Sequence, residues 1–260
     1  MLTDTHCHVQ LREYDRDRDE VLRRALESGV DTLICVGYDA SSNQRAQRLT
    51  GDRVNGPGRP RLYATAGLHP HDAKDFSPAF LDGVRALAAA GRIVAVGECG
   101  LDFYRNLSTP EQQRLAFAAQ IELAAELDLP LVVHDREAHE SVAELLERHG
   151  ARSGVMHCFS GDWEFARRCL DLGFYLSIAG PVTYRNAEAL RDVAARAPAD
   201  RLVVETDCPF LTPHPFRGKR NEPALVRLVA EEVARIRKED PEAFAAQAAA
   251  NARALFRLPD

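Results

Sequence analysis

Along the chain, short apolar runs alternate with longer stretches in which apolar residues recur every three or four positions. The runs at Met1–Thr5, Thr32–Val36, Leu62–Ala66, Ile93–Gly97, Leu131–Val133, Val155–Cys158, Phe174–Ile178 and Leu202–Glu205 predict strands. Each is followed by an amphipathic stretch that predicts a helix: Asp17–Glu27, Ser42–Thr50, Ala79–Ala90, Pro110–Leu127, Arg136–His149, Asp162–Leu172, Ala187–Ala197 and Glu222–Lys238. The strand runs are mostly apolar rather than alternating, as parallel strands covered by helices require. Eight such units predict an α/β fold, a single-domain (β/α)8 TIM barrel over residues 1–260. An extra C-terminal helix, Pro241–Phe256, is expected to pack on its outside.

Helix ends carry their own signals. Ser108-Thr109-Pro110-Glu111 combines a cap, a first-turn proline and an acid near the positive helix end. Gly29, Gly91, Gly150 and Gly173 fall just beyond predicted helices, where a C-terminal cap belongs. A doubly wound open sheet is the competing fold, but no glycine-rich phosphate fingerprint follows the first strand. Gly51–Pro60 reads as a loop, too short for a domain boundary.

Of the 260 residues, 45% are hydrophobic and 28% charged, the balance of an ordinary globular protein that needs no disulfide staple. The net charge of −6 excludes a global basic field of the kind that coats duplex DNA. It leaves room for an enzyme that holds phosphates on metal ions and a few local cations. No apolar run approaches the roughly 18 residues of a membrane span. The N-terminus, MLTDTHCHVQL, lacks the regions of a signal peptide, and with six Cys this predicts free thiols in a reducing cytoplasm.

In a barrel of this kind reactive groups stand at the C-terminal ends of the strands. Those ends present His6 and His8 after the first strand, His69 and His71 after the third, Glu98 after the fourth, His134 after the fifth, His157 after the sixth and Asp207 after the eighth. With His214, seven of the nine histidines lie on this one face, while His139 and His149 fall in a helix pattern. The period-two spacing of His6 and His8 turns both imidazoles to one side of an extended segment. A lone strand-end histidine is usually structural, but six ligand-type residues at successive strand ends call for a common cause. His6, His8, Glu98, His134, His157 and Asp207 exceed what one open zinc site takes, so two divalent ions bridged by Glu98 are expected. Zinc, manganese and magnesium are the candidates, and four imidazoles favour zinc, manganese or cobalt over magnesium, which prefers oxygen donors. Cys7, Cys99, Cys158 and Cys208 each follow a proposed ligand, so alternation should turn them toward the helices as small packing residues, with Cys35 and Cys169 also in the core.

At these residues the sequence resembles the TatD-type metal-dependent deoxyribonucleases. The matching segments are Asp4–His8, Gly67–His71, Gly97–Tyr104, Val133–Arg136, His157–Gly161, Glu205–Leu211 and the tail Asn251–Phe256, in order over nearly the whole chain. The resemblance implies a metallo-hydrolase barrel with two ions, one on His6, His8, Glu98 and Asp207, the other on Glu98, His134 and His157. It further implies hydrolysis of phosphodiester bonds in DNA, as a 3′→5′ exonuclease that prefers single strands. Relatives on this barrel hydrolyse other esters and amides, so aminoacyl-tRNA or a small lactone is the alternative substrate class. A silent nucleic-acid-binding scaffold is disfavoured by the intact ligand set.

Such hydrolysis needs a water activated near neutral pH and neutralised charge on phosphorus, which two ions supply. Asp207 either deprotonates that water or serves only as a ligand, and Glu98 joins it as the catalytic bridge. His69 either contacts the scissile phosphate or leaving oxygen, or supports a ligand by a hydrogen bond. His71, Tyr104 and Arg105 are candidates for substrate contact. So are Phe216, Arg217, Lys219 and Arg220 in the basic loop after strand eight, where cations would meet phosphates and Phe216 a base. A plain solvated loop is the other reading. The expected partner is single-stranded DNA as substrate, with no membrane and no obligate protein partner.

Overall fold

The computed structural model describes residues 1–50 and 58–259, so residues 51–57 of the predicted loop lie outside the described residues. Among the described residues eight strands are present: β1 (Leu2–Cys7), β2 (Val30–Cys35), β3 (Arg61–Ala64), β4 (Val96–Asp102), β5 (Leu131–Arg136), β6 (Gly154–Met156), β7 (Tyr175–Ile178) and β8 (Leu202–Val204). Helices intervene as α1 (Arg18–Glu27), α2 (Ala40–Arg48), α3 (Pro78–Ala89), α4 (Pro110–Glu126), α5 (His139–Arg148), α6 (Trp163–Asp171), α7 (Glu188–Arg196) and α8 (Val226–Arg237), before a final α9 (Pro241–Phe256). The strands pair in parallel in two runs, β1-β2-β3 and β4 through β8. Parallel bridges Cys7–Cys208 and Ala66–Val96 join the runs at both seams. The expected barrel, not the open sheet, is the fold.

The period-two pattern sorts the apolar residues into two layers. Leu33, Cys35, Leu131, Val133, Met156, Leu202 and Val204 belong to the large cluster between strands and helices. Their neighbours Ile34, Val36, Val132, Val155 and Val203 form a second cluster within the barrel. Into that second cluster α9 and the short tail beyond it send Ala252, Leu255, Phe256 and Leu258. This corrects the expectation that α9 packs only outside. The helix lies against α8 and the starts of β1 and β8, and the Asn251 amide donates to the carbonyls of Ala199 and Leu202 at 2.7 Å each. Its end therefore closes the N-terminal mouth of the barrel.

Local chemistry behaves largely as the sequence implies. Thr109 caps α4, its hydroxyl accepting from the Gln112 amide while the Gln112 side chain accepts from the Thr109 N–H. Gly29, Gly91, Gly150 and Gly173 all take positive φ just past their helices. Two boundaries move for physical reasons. A 3-10 turn at Pro223–Leu225 delays α8 to Val226, and left-handed Glu137 (φ 55°) ends β5 so that α5 starts only at His139. Five cysteines lie buried between strands and helices as expected. Cys158 does not: it has left β6, takes φ 44° and lines the cleft at the strand ends. Among the described residues no helix is long and apolar enough to cross a membrane.

Candidate metal centre

His6 and His8 stand two residues apart at the end of β1, and alternation puts both rings on the barrel axis side. Their Nε2 atoms are 3.2 Å apart. Glu98 Oε2 lies 3.4 Å from His6 Nε2 and 3.9 Å from His8 Nε2, while Asp207 Oδ1 lies 3.7 Å and 3.4 Å from the same two atoms. Ligand atoms about 2.1 Å from a tetrahedral ion are about 3.4 Å from one another, so these four donors fit one divalent cation. The other Glu98 oxygen faces a different group. Glu98 Oε1 is 3.0 Å from His134 Nδ1, 3.3 Å from His157 Nε2 and 3.3 Å from His69 Nε2. One carboxylate thus spans two clusters of imidazoles.

Tautomers sharpen the fit. His8 Nδ1 donates to the Val36 carbonyl at 2.8 Å, and His157 Nδ1 donates to Glu205 Oε1 at 3.0 Å. In the neutral rings the Nε2 lone pairs then point at carboxylate oxygens, an arrangement that only a proton or a metal cation between them relieves. The electrostatics say the same. Burial pushes Glu98 up, but the imidazoles of His157, His69 and His134 outweigh it and hold the carboxyl well below the usual range. Burial likewise opposes charge on His157, yet Glu205 and Glu98 raise it well above the ordinary histidine value. A field that recruits a proton so strongly also attracts a divalent ion.

Local backbone sets these groups. The sequence places Glu98 beyond strand four, whereas it stands inside β4. Gly97 and Gly100 flank it with φ 146° and 139°. A Cβ on Gly97 would sit 2.5 Å from the Val132 carbonyl oxygen, and one on Gly100 2.0 Å from that of His134. Only glycine lets β4 press that closely on β5. Asp207 is held at φ 53°, a conformation L-residues avoid except where surroundings impose it, often at functional sites.

Two supporting carboxylates escaped the sequence reading. Asp102 accepts from His71 Nε2 at 2.8 Å and lies 3.4 Å from His134 Nε2. Glu205 accepts from His157, from the Cys158 N–H at 2.9 Å and from Ser177 Oγ at 2.5 Å. The signal for both was present: an acid on the same strand as a ligand, four residues after Glu98 and two before Asp207, is where a histidine's second nitrogen finds its partner.

Five of the six predicted ligands, His8, Glu98, His134, His157 and Asp207, line one cleft of about 890 Å³ together with His69, His71 and Arg105, while His6 is fully buried behind them, within 3.7 Å of His8, Glu98 and Asp207. Tyr104 stands at the rim, 62% exposed, with the Arg136 guanidinium 4.0 Å from its ring centroid. The basic loop goes elsewhere. Phe216 lines a separate depression beside Arg24, Arg227 and Glu231. Arg220 is bound to Asp17 at 2.5 and 3.0 Å and to the Glu13 carbonyl, Arg217 stacks on Tyr184, and Lys219 sits over Phe216. None of these four lines the cleft. Phe210, Arg136 and His139 do, and none of the three figured among the candidate site residues.

A closed parallel barrel with histidines and a bridging carboxylate at its strand ends defines the class of metal-dependent hydrolases. Within that class the chain belongs to the family described as TatD related DNase, whose model matches residues 3–257. It is 43% identical over 260 residues to YabD of Bacillus subtilis, described as an uncharacterized metal-dependent hydrolase, covering 99% of this chain and all of that one. It is 40% identical over 262 residues to the 3′-5′ ssDNA/RNA exonuclease TatD of Salmonella typhimurium, covering 98% of each. The crystal structure of YJJV, a TatD homologue from Escherichia coli K12, superposes with a TM-score of 0.91 at 32% identity, covering 99% of this chain and 98% of that one.

Proposed function

We propose that the protein hydrolyses single-stranded nucleic acid, DNA in the first place, stepwise from the 3′ end at a pair of divalent ions. The observation that carries this reading is the placement of the two Glu98 oxygens in two separate imidazole clusters. The likeness to relatives named as ssDNA/RNA exonucleases supports the substrate class. Divalent ions supply a lowered water pKa and neutralise charge on phosphorus. His6, His8, Asp207 and Glu98 Oε2 would hold one, and Glu98 Oε1, His134 and His157 the other.

The remaining work belongs to side chains. Asp207 has the more open carboxylate of the two, its side chain 14% exposed against 5% for Glu98. Burial raises it, but the His8 hydrogen bond together with His157 and His6 keeps it ionised, so it can accept the proton of the attacking water. Burial lowers His69 to about 4, so at neutral pH it is an uncharged imidazole, suited to donate one hydrogen bond to a phosphate or leaving oxygen. Asp102 orients His71 beside it. Six unbridged cysteines suit a reducing cytoplasm.

The test is cleavage of a 5′-labelled single-stranded oligomer by metal-stripped protein with Mg²⁺, Mn²⁺ or Zn²⁺ restored, beside Asp207→Asn. A ladder shortening from the 3′ end, lost in the variant, is expected. Absence of cleavage with every ion, from protein shown to carry metal, overturns the nuclease reading and leaves an ester or amide hydrolase.

A further inference from the structure

On the β5 side of the cleft, away from the ligand atoms, stands a second set of polar groups. Arg136 ends β5 with its guanidinium exposed above the Tyr104 ring. Arg105 lines the same side. Among the described residues neither arginine is in an ion pair, although the protein's other arginines frequently are. His139 opens α5. Its ring stacks on Phe165 with centroids 4.6 Å apart, and its Nδ1 donates to Asp135 Oδ2 at 2.6 Å. The Asp135 side chain is 5% exposed, and its Oδ1 is buried with no hydrogen-bond partner among the described residues. Asp135 itself lines the cleft, where its other oxygen holds the His139 ring in place.

We propose that Arg136 and His139, backed by Asp135, form a subsite that holds a phosphate of the strand other than the one being cleaved. Asp135, accepting from Nδ1, favours the imidazolium form of His139, whose Nε2–H is then free to donate, and the guanidinium supplies a forked donor for phosphate oxygens. Glu137, exposed on this rim, opposes the anion, so removing its charge should act in the direction opposite to removing Arg136. The subsite deepens the nuclease reading and rests on it, and it predicts that the enzyme measures substrate length.

The test compares kcat/KM on oligothymidylates from dinucleotide to octanucleotide with that on thymidine 5′-(p-nitrophenyl phosphate), which carries a single phosphate. In the wild type kcat/KM should climb with the first added phosphates. Arg136→Ala and His139→Ala should each lower it on oligomers about ten-fold more than on the ester, as loss of a charge-assisted contact does, with the change in KM. Glu137→Gln should move KM in the opposite direction. Binding is measured separately, by anisotropy of a labelled, hydrolysis-resistant phosphorothioate oligothymidylate on metal-loaded protein against salt. There Arg136→Ala should flatten the log–log slope by about 0.7, the contribution of one phosphate contact on a single strand. Equal losses on oligomer and ester with an unchanged salt slope would overturn the subsite. Failure of the wild type to cleave the ester or any oligomer would instead sink the nuclease reading, and the salt slope would still decide whether Arg136 meets phosphate.

Discussion

At the C-terminal ends of the strands, His6, His8, Glu98 and Asp207 bring nitrogen and oxygen atoms to within 3.2–3.9 Å of one another. At the N-terminal ends of the same strands, Ala252, Leu255, Phe256 and Leu258 seal the barrel against Ile34, Val132, Val155 and Val203. At the lower end the Asn251 amide satisfies two carbonyls, those of Ala199 and Leu202. The upper end gathers buried groups whose lone pairs and charges face each other and which a cation must reconcile. Packing energy and chemistry are therefore divided along the barrel axis. Changes at the two ends should separate stability from turnover.

The sharpest division is expected from Glu98→Ala. Loss of the carboxylate common to both clusters should lower turnover more than about 1,000-fold, beyond the cost of a single oxyanion donor. Bound metal, measured by mass spectrometry, should fall with it, while the folded structure persists. At the other end Phe256→Ala should cost about 3–5 kcal/mol of stability in denaturant titration, with turnover per folded molecule and metal content intact. Were Phe256→Ala to lose metal before it unfolds, the two ends would be coupled and the division false.

Smaller effects refine the upper end. If the centre binds metal in the folded state alone, a hundred-fold excess of ion over its dissociation constant adds about 2.7 kcal/mol. Chelation should lower the melting temperature accordingly, and the shift should vanish in Glu98→Ala. Glu205→Gln keeps every ligand and removes the carboxylate behind His157. It should weaken metal affinity about 10–100-fold with little change in melting temperature once metal saturates. The mildest is Arg220→Ala. Its pair with Asp17 is about one-third exposed, so the loss should stay below about 1 kcal/mol, and affinity for oligonucleotide should hold, because this arginine faces α1 rather than the cleft.

That last residue shows where reading the chain in one dimension fails. Pro213–Arg220 is the most basic loop at the strand ends, and local charge alone marks it for phosphate. Its partner Asp17 lies 203 residues earlier, brought alongside only when β8 closes on β1. His139 erred in the other direction: a histidine inside a helix pattern carries no local sign of a cleft, yet the turn at Glu137 makes it the first residue of α5 and sets it on Asp135. Glu98 was found but misplaced, because Gly97 and Gly100 look like a strand's end when they are what lets β4 lie tight on β5.

What the sequence determined by itself was the set of eight strand–helix units and the six ligand-type residues that gather at the strand ends. Both are local properties: hydrophobic period fixes the elements, and the direction of parallel strands puts their C-terminal residues on one face. Only the tertiary structure decided which atoms meet. It divided the two Glu98 oxygens between clusters, supplied Asp102 and Glu205 as partners for histidines, turned α9 into the plug of the lower mouth and took the basic loop away from the cleft. Those outcomes depend on distances between residues far apart in the chain, which the closure of the barrel fixes and no local pattern encodes.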